Sequence, residues 1–570
     1  MRKYHFSLGK LLLVATSCLV LAACSGQVVK PKPILNTPVQ TLTKPIKTPV
    51  DSKEVTSIST DVPTFVEEVA VTTTSPVENT LPVYRATSDH AALYQSLPSD
   101  IKRRLNLVGL ARHGMSAFVQ PVNASGPLLT VNAEVPRNPA SVMKLLTTYS
   151  ALGILGIDYQ WPIEIYTQGE IRGNTLYGDL AIKGYGYPNF VTEDLESILQ
   201  ALQGQGLNHI QGGLIVDNSY FSTGWQDPGA FDNRPYRPYN APPDATLINH
   251  RATRFVVKAN ASKKRVEVYS PFPASNIKIV NKIRFSRGRC RGKNQRVNMR
   301  ILPKGDHTTV RFSGRYSSRC GRKSYYKVVS NPPSMINGGF RKIWKEMGGT
   351  IRGGFRVQPV SQQAKLFYTY TSESIADVIR KVNKKSNNVM ARQLLLSIGA
   401  RAYGAPGTVE KGQRAMKDWF RSQGLNFDEL MVENGSGLSR VSQVSARHVG
   451  ELLLKAWHTD GINMTLKDSL PIMGQDGTLR RRLRNSGIAG NAQMKTGTLK
   501  DTRAIAGYID SNDGHTYVAV ILHNDPRVKA KGRPVHDKLL EWVYWQDEMK
   551  NQKAGYASSD ASPVLCRYGC

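Results

Sequence analysis

The sequence predicts an α+β fold: an antiparallel sheet flanked by helices, interrupted by a large β-rich insertion. Three observations predict it. Apolar alternation followed by a helical apolar run opens the folded body after residue 88. Residues 159–367 are then broken by Gly and Pro into short strands with few long helices. Helical periodicity returns at residue 372 and ends in a hairpin signal. A chain of 570 residues exceeds what one hydrophobic core supports, so two to four domains are expected.

Taken in order, Arg2, Lys3 and Lys10 precede an uncharged apolar run, 11–23, too short to span a membrane stably. It ends in Leu21-Ala22-Ala23-Cys24, which resembles the lipobox of bacterial lipoproteins. Residues 1–24 are therefore read as a lipoprotein signal peptide, with Cys24 lipidated and anchoring the mature chain to a membrane. Ser25, where an Asp would signal retention in enteric lipoproteins, points to the outer membrane and a periplasmic body. Export removes nucleic acid as the partner for a formal net charge of +33. A membrane surface or an anionic wall polymer remains. Residues 25–87, rich in Pro, Thr, Val and Lys, read as a disordered linker.

The catalytic domain is expected in two parts, 88–160 and 367–548, around inserted subdomains at 161–366. In the first part, 107–120 and 128–134 read as strands. A helix through Lys144, Leu145, Leu146, Tyr149 and Leu152 follows, stopped by Gly153 and Gly156. In the second part helices are expected at 372–385, 388–400, 409–422 and 445–457. Strands at 503–510 and 516–523 flank Ser-Asn-Asp-Gly. Cys290 and Cys320, and Cys566 and Cys570 in the tail at 549–570, read as two local disulfides in an oxidising compartment. They lack the spacing of a zinc site. Between residues 278 and 327 the one acid is Asp306, set among more than ten Arg and Lys residues. That segment is either a patch that docks an anionic polymer or merely a soluble basic subdomain.

Ser141 and Lys144 lie three apart on a helix, so both project from one face. A serine hydroxyl needs a base to become a nucleophile, and a lysine serves if burial or a nearby cation lowers its pKa. Ser386-Asn387-Asn388 sits between two helices, where polar groups can face a cleft. Lys495-Thr496-Gly497-Thr498 reads as an edge strand able to pair with an extended peptide, with Gly497 admitting a close backbone. Each triplet alone is common; the ordered set in an exported chain is not.

These three motifs resemble those of the penicillin-binding protein and serine β-lactamase superfamily, with its transpeptidase/β-lactamase-like fold. More than 200 residues separate the first two motifs, as in the class C low-molecular-mass branch, the D-alanyl-D-alanine carboxypeptidases/endopeptidases. Asn434-Gly-Ser-Gly-Leu and Asp476-Gly-Thr-Leu are similar to that branch as well. The resemblance implies a Ser141 acyl-enzyme with Lys144 as base, Ser386 relaying a proton to the leaving amine, and Asn388 holding Lys144 and the substrate amide. Lys495 and Thr496 would hold a terminal carboxylate. The backbone N–H groups of Ser141 and Thr498 would form the oxyanion hole. It implies peptidoglycan as substrate, β-lactam antibiotics as covalent inhibitors, and no metal or other cofactor. One departure is Tyr187 in Gly184-Tyr-Gly-Tyr-Pro, where the family often has Asp. Asp217 is a candidate for a substrate amine but is read as a structural acid at a strand end. The alternatives are a serine β-lactamase, for which no water-activating residue is recognisable, and a non-catalytic wall-binding lipoprotein, against which the complete motifs argue.

Overall fold

The computed structural model describes residues 92–272 and 274–546. Cys24 and its lipobox, the linker and the Cys566/Cys570 pair lie outside them. Among the described residues no helix is long and apolar enough to cross a membrane.

The first part begins with α1 (Ser99–Leu107) and then β1 (Met115–Pro121), β2 (Leu129–Val131) and α2 (Met143–Leu155). The strand expected from residue 107 starts only at Met115. Ile101 and Leu105, both buried, lie four apart on one helical face; Leu107 ends that helix, and a 3-10 turn at Arg112–Gly114 precedes the strand. Helix α2 runs through Gly153 and stops at Gly156, whose φ is 95°. Gly153 is not a terminator: a Cβ there would lie 2.1 Å from the Trp419 ring, so its bare backbone admits that indole.

The insertion leaves through β3 (Pro162–Arg172) and β4 (Thr175–Gly184), followed by α3 (Thr192–Gly204), β5 (His209–Ile210) and β6 (Leu214–Asp217). Next come β7 (Thr253–Asn260), β8 (Arg265–Tyr269), β9 (Ile277–Ser286), β10 (Gln295–Lys304), β11 (His307–Ser317) and β12 (Arg322–Lys327). The chain returns through α4 (Pro332–Glu346), β13 (Thr350–Ile351), β14 (Phe355–Val357) and β15 (Lys365–Thr371). Strand β15 pairs antiparallel with β3, Thr371 opposite Pro162, so exit and re-entry lie side by side. The proximal seven-stranded sheet shares its apolar core with the helices of the catalytic part. Tyr187, at the departure from the family pattern, joins that core, stacked 6.2 Å from Trp161. Asp217 is buried at the end of β6, its two oxygens taken by the N–H groups of Ser219 and Val360, both at 2.9 Å. It serves as the structural acid its position suggested.

The distal insertion forms two three-stranded sheets around a separate core containing Phe255, Val310, Phe312 and Tyr316. Cys290 and Cys320 are bonded across it. Arg284, Arg315 and Arg296 stand in register on the adjacent strands β9, β11 and β10.

The second part supplies α5 (Ile375–Lys385), α6 (Asn388–Tyr403), α7 (Val409–Ser422), α8 (Ala446–Trp457) and α9 (Ile462–Ser469). Then come β16 (Ala492–Thr498), β17 (Thr502–Asp510), β18 (Thr516–Asn524), α10 (Val528–Lys531) and α11 (Arg533–Tyr544). The catalytic sheet has the order β16-β17-β18-β1-β2, every neighbour antiparallel, with β16 at an edge. Helices cover both faces. Met494, Ile505 and Ile521 pack with α1 and α11, whereas Ala504, Ala506 and Val520 belong to the core of α2 and α8. Burial on both faces explains why β17 and β18 read as nearly continuous apolar runs.

The edge of β16 lies against the turn that precedes α2. A Cβ on Gly497 would sit 2.6 Å from the Pro139 carbonyl and 3.0 Å from the Ser141 nitrogen. Gly497 is thus required by the protein's own backbone, not by a ligand's as its motif alone suggested. Gly497→Ala should lower stability by about 1–3 kcal/mol, the range for overpacking a close contact. Thermal unfolding measures this, and an unchanged melting temperature contradicts the packing argument.

Candidate active site

Ser141 and Lys144 sit at the start of α2, Ser386 and Asn388 at the α5–α6 junction, and Lys495, Thr496 and Thr498 on β16. Asn138 fixes the first of these. Its backbone N–H donates to Asn524 Oδ1 at 2.9 Å, its side-chain amide donates to the Ser439 carbonyl at 3.0 Å, and its Oδ1 accepts from Ala140 N–H at 2.9 Å. Ala140, just before Ser141, is held at a φ of 46°. Ser386 is likewise left-handed, φ 53° and ψ 44°, which ends α5. Asn387 then caps α6, its Oδ1 accepting from Val389 and Met390 N–H. The chain between the two helices is therefore turned so that Ser386 and Asn388 reach the same cleft.

Lys144 Nζ, wholly buried, lies 3.0 Å from Ser141 Oγ and 2.7 Å from Asn388 Oδ1, and it donates to the Ser436 carbonyl. Two of these partners, the carbonyl and the amide oxygen, only accept. A neutral amine has two N–H groups for them and a lone pair left for the Ser141 hydroxyl. Its pKa lies well below the ordinary lysine value, because burial penalises the charge and because Lys495 and then Arg392 add positive potential. Lys495 is buried too. Its Nζ donates to Ser386 Oγ at 2.9 Å and to the Thr496 carbonyl at 3.0 Å, and burial lowers its pKa to about 7.

The two clusters join through short chain steps: Asn388 is two residues from Ser386, and Gly497, against Ser141, is two from Lys495. Met494 N–H bonds the Pro471 carbonyl on the side of β16 away from β17. By the two-residue period of a strand, the N–H groups of Thr496 and Thr498 face that same open edge. Thr496 Oγ1 lies 2.8 Å from Thr478 Oγ1 across it.

The motifs alone did not assign three further groups. Ser436 supplies the carbonyl that fixes Lys144, and Asn434 Oδ1 holds Ser436 by its N–H at 3.0 Å and its hydroxyl at 2.6 Å. Arg392 adds positive potential to Lys144 from α6. Asp476 pairs with Lys384 at 2.5 Å and accepts from Ile472 N–H at 2.7 Å, holding the loop that carries Thr478. Asn434-Gly-Ser-Gly and Asp476-Gly-Thr were visible as stretches, but a carbonyl's role has no side-chain signature.

Most of the described chain is similar to known proteins. The profile of the D-Ala-D-Ala carboxypeptidase 3 (S13) family matches residues 100–544. A D-alanyl-D-alanine carboxypeptidase of Actinomadura sp. (strain R39) is 26% identical over 422 residues, covering 71% of this chain and 77% of that protein. The D-alanyl-D-alanine carboxypeptidase DacB of Haemophilus influenzae is 25% identical over 415 residues, covering 70% of this chain and 83% of its own. The crystal structure of penicillin binding protein 4 (dacB) from Haemophilus influenzae shares the fold at a TM-score of 0.65 and 22% identity, over 78% of this chain and 99% of that one. From residue 100 to residue 544, then, the chain belongs to the D-Ala-D-Ala carboxypeptidase 3 (S13) family.

Proposed function

We propose that this chain is a serine D-alanyl-D-alanine carboxypeptidase/endopeptidase that hydrolyses peptidoglycan stem peptides or cross-links in cell-wall remodelling. The observation that carries the reading is the buried Lys144 amine 3.0 Å from Ser141 Oγ, its pKa held well below the ordinary lysine value by burial and by Lys495. Ser141 Oγ attacks the D-alanine carbonyl carbon while its proton passes to Lys144. The backbone N–H groups of Ser141 and Thr498 stabilise the oxyanion. The C–N bond then breaks, and the proton held by Lys144 passes through Ser386 to the leaving amine, which returns Lys144 to its free base. Water, deprotonated by the same lysine, attacks the ester, and the oxygen of Ser141 recovers its proton. Asn388 keeps Lys144 in line, and Lys495 with Thr496 holds the carboxylate of the leaving residue. A β-lactam would acylate Ser141 by the first step and stall at the ester.

The finer reading of location is that Cys24 is lipidated, tethering a periplasmic body, on a linker, to the outer membrane. The distal insertion supports a second contact. Arg296, Arg315 and Arg284 form one row across three strands, where like charges destabilise a sheet unless an anion offsets them. Asp306, the acid of that segment, already accepts from Ser334 Oγ at 3.0 Å. An anionic wall polymer fits this face.

Fluorescent penicillin should label the wild type durably and Ser141→Ala not at all, and Lys144→Ala should nearly abolish labelling. Rapid turnover of the label would instead indicate a β-lactamase. Because Lys495 loses its charge as pH rises through about 7, kcat/KM on carboxylate-terminated peptides should fall above that pH. A profile flat to pH 10 overturns the role given to Lys495. Cys24→Ala should free the protein from the membrane fraction. Binding to isolated wall should weaken steeply with salt and on reversing Arg284, Arg296 and Arg315 to Glu. Binding indifferent to both removes the polymer contact.

A further inference from the structure

Thr496 and Thr498 open onto a second feature, on the sheet face opposite to Lys495. Thr498 stands opposite Arg503, whereas Lys495 stands opposite Ala506. A pocket of about 240 Å³ lies beside the two threonines, walled by Arg480, Arg481, Arg482, Arg503 and Arg533. No acidic residue lines it. Asp537, behind the wall, pairs with Arg482 at 2.6 Å and with Arg533 at 3.4 Å and also acts on Arg503, which leaves Arg480 and Arg481 without an ion pair among the described residues. Arg482 is only 6% exposed, and its Nη2 is buried without a hydrogen-bond partner, as is Arg503 Nε. A buried guanidinium N–H without a partner is unfavourable. Five cations gathered on one cavity with no acid in its lining call for an anionic ligand.

We infer that this pocket is a subsite for the leaving strand and takes a leaving peptide that carries at least two carboxylates. The inference rests on the peptidase reading above and sharpens it. When a terminal D-alanine departs, it brings one carboxylate, and Lys495 with Thr496 already accounts for that group. The arginine pocket then has nothing to bind. It holds space for about eight waters at ~30 Å³ each, more than a single carboxylate needs. When a cross-link is cut, the departing amine belongs to a second stem peptide, whose further carboxylates lie on this side of the scissile bond. Arginine suits them, because its fork pairs two N–H groups with a carboxylate. The subsite therefore favours cross-links over free peptide tails.

Arg480 and Arg481 are exposed, so their removal leaves the packing of the loop intact. The full chain with Arg480→Ala and Arg481→Ala is compared with wild type on a cross-linked muropeptide dimer, on an uncross-linked pentapeptide and with fluorescent penicillin. kcat/KM on the dimer should fall by about 10-fold or more, as expected for lost charge-assisted hydrogen bonds, with the pentapeptide and the labelling within about two-fold. Arg481→Glu should deepen the loss on the dimer alone. Equal loss on both peptides, or no loss on either, overturns the subsite. Wild-type protein that takes the penicillin label but cleaves neither peptide refutes the peptidase reading itself.

Discussion

The structure turns on one desolvated amine. Lys144 has no contact with solvent, and its surroundings offer two acceptors and one hydroxyl. An ammonium in that place would be held by dipoles alone, with cations and no carboxylate nearby. Burial and the neighbouring cations thus favour the neutral form of the lysine. This requires α2, the α5–α6 junction, the 434–438 loop and β16 to stay in place together, since each contributes a partner or a potential. Two non-glycine residues with positive φ, Ala140 and Ser386, lie in two of these four segments. Some backbone strain is thus held beside the reacting groups, as expected where surrounding packing over-determines a site.

The catalytic triplets and most of the helices were legible in the sequence because their signals are local. Helices α5 to α8 fall within a few residues of their expected limits, and the edge position of β16 and the hairpin after it agree with expectation. Signals carried by tertiary contact were not legible. Gly153 looks like a helix stop until Trp419 is placed against it, and Gly497 looks like room for a ligand until Pro139 is seen beneath it. Helix α1 was not anticipated, because its apolar residues are few and its polar ones many, and the strand expected from residue 107 begins only at Met115. The site residues arrived from three distant segments; the Ser436 carbonyl, which has no side-chain signature, and the Arg392 and Asp476 side chains, which only tertiary contact brings to the site, escaped notice.

Positive charge is used in two physically different ways. Lys144 and Lys495 are buried, and their pKa values move because water is excluded. The arginines of β9 to β11 stand mostly in solvent, where guanidinium groups stay charged and act through summed potential. The net charge of +33 therefore says little about the catalytic lysines, whose behaviour is set by burial.

The pairing of β3 with β15 has an evolutionary consequence. Because the strands that leave and re-enter the catalytic body are hydrogen-bonded neighbours, the two ends of the gap stay about 5 Å apart whatever is threaded between them. Lineages can lengthen, recharge or delete the outer lobe without moving the cleft, much as a tool head is exchanged on a fixed handle.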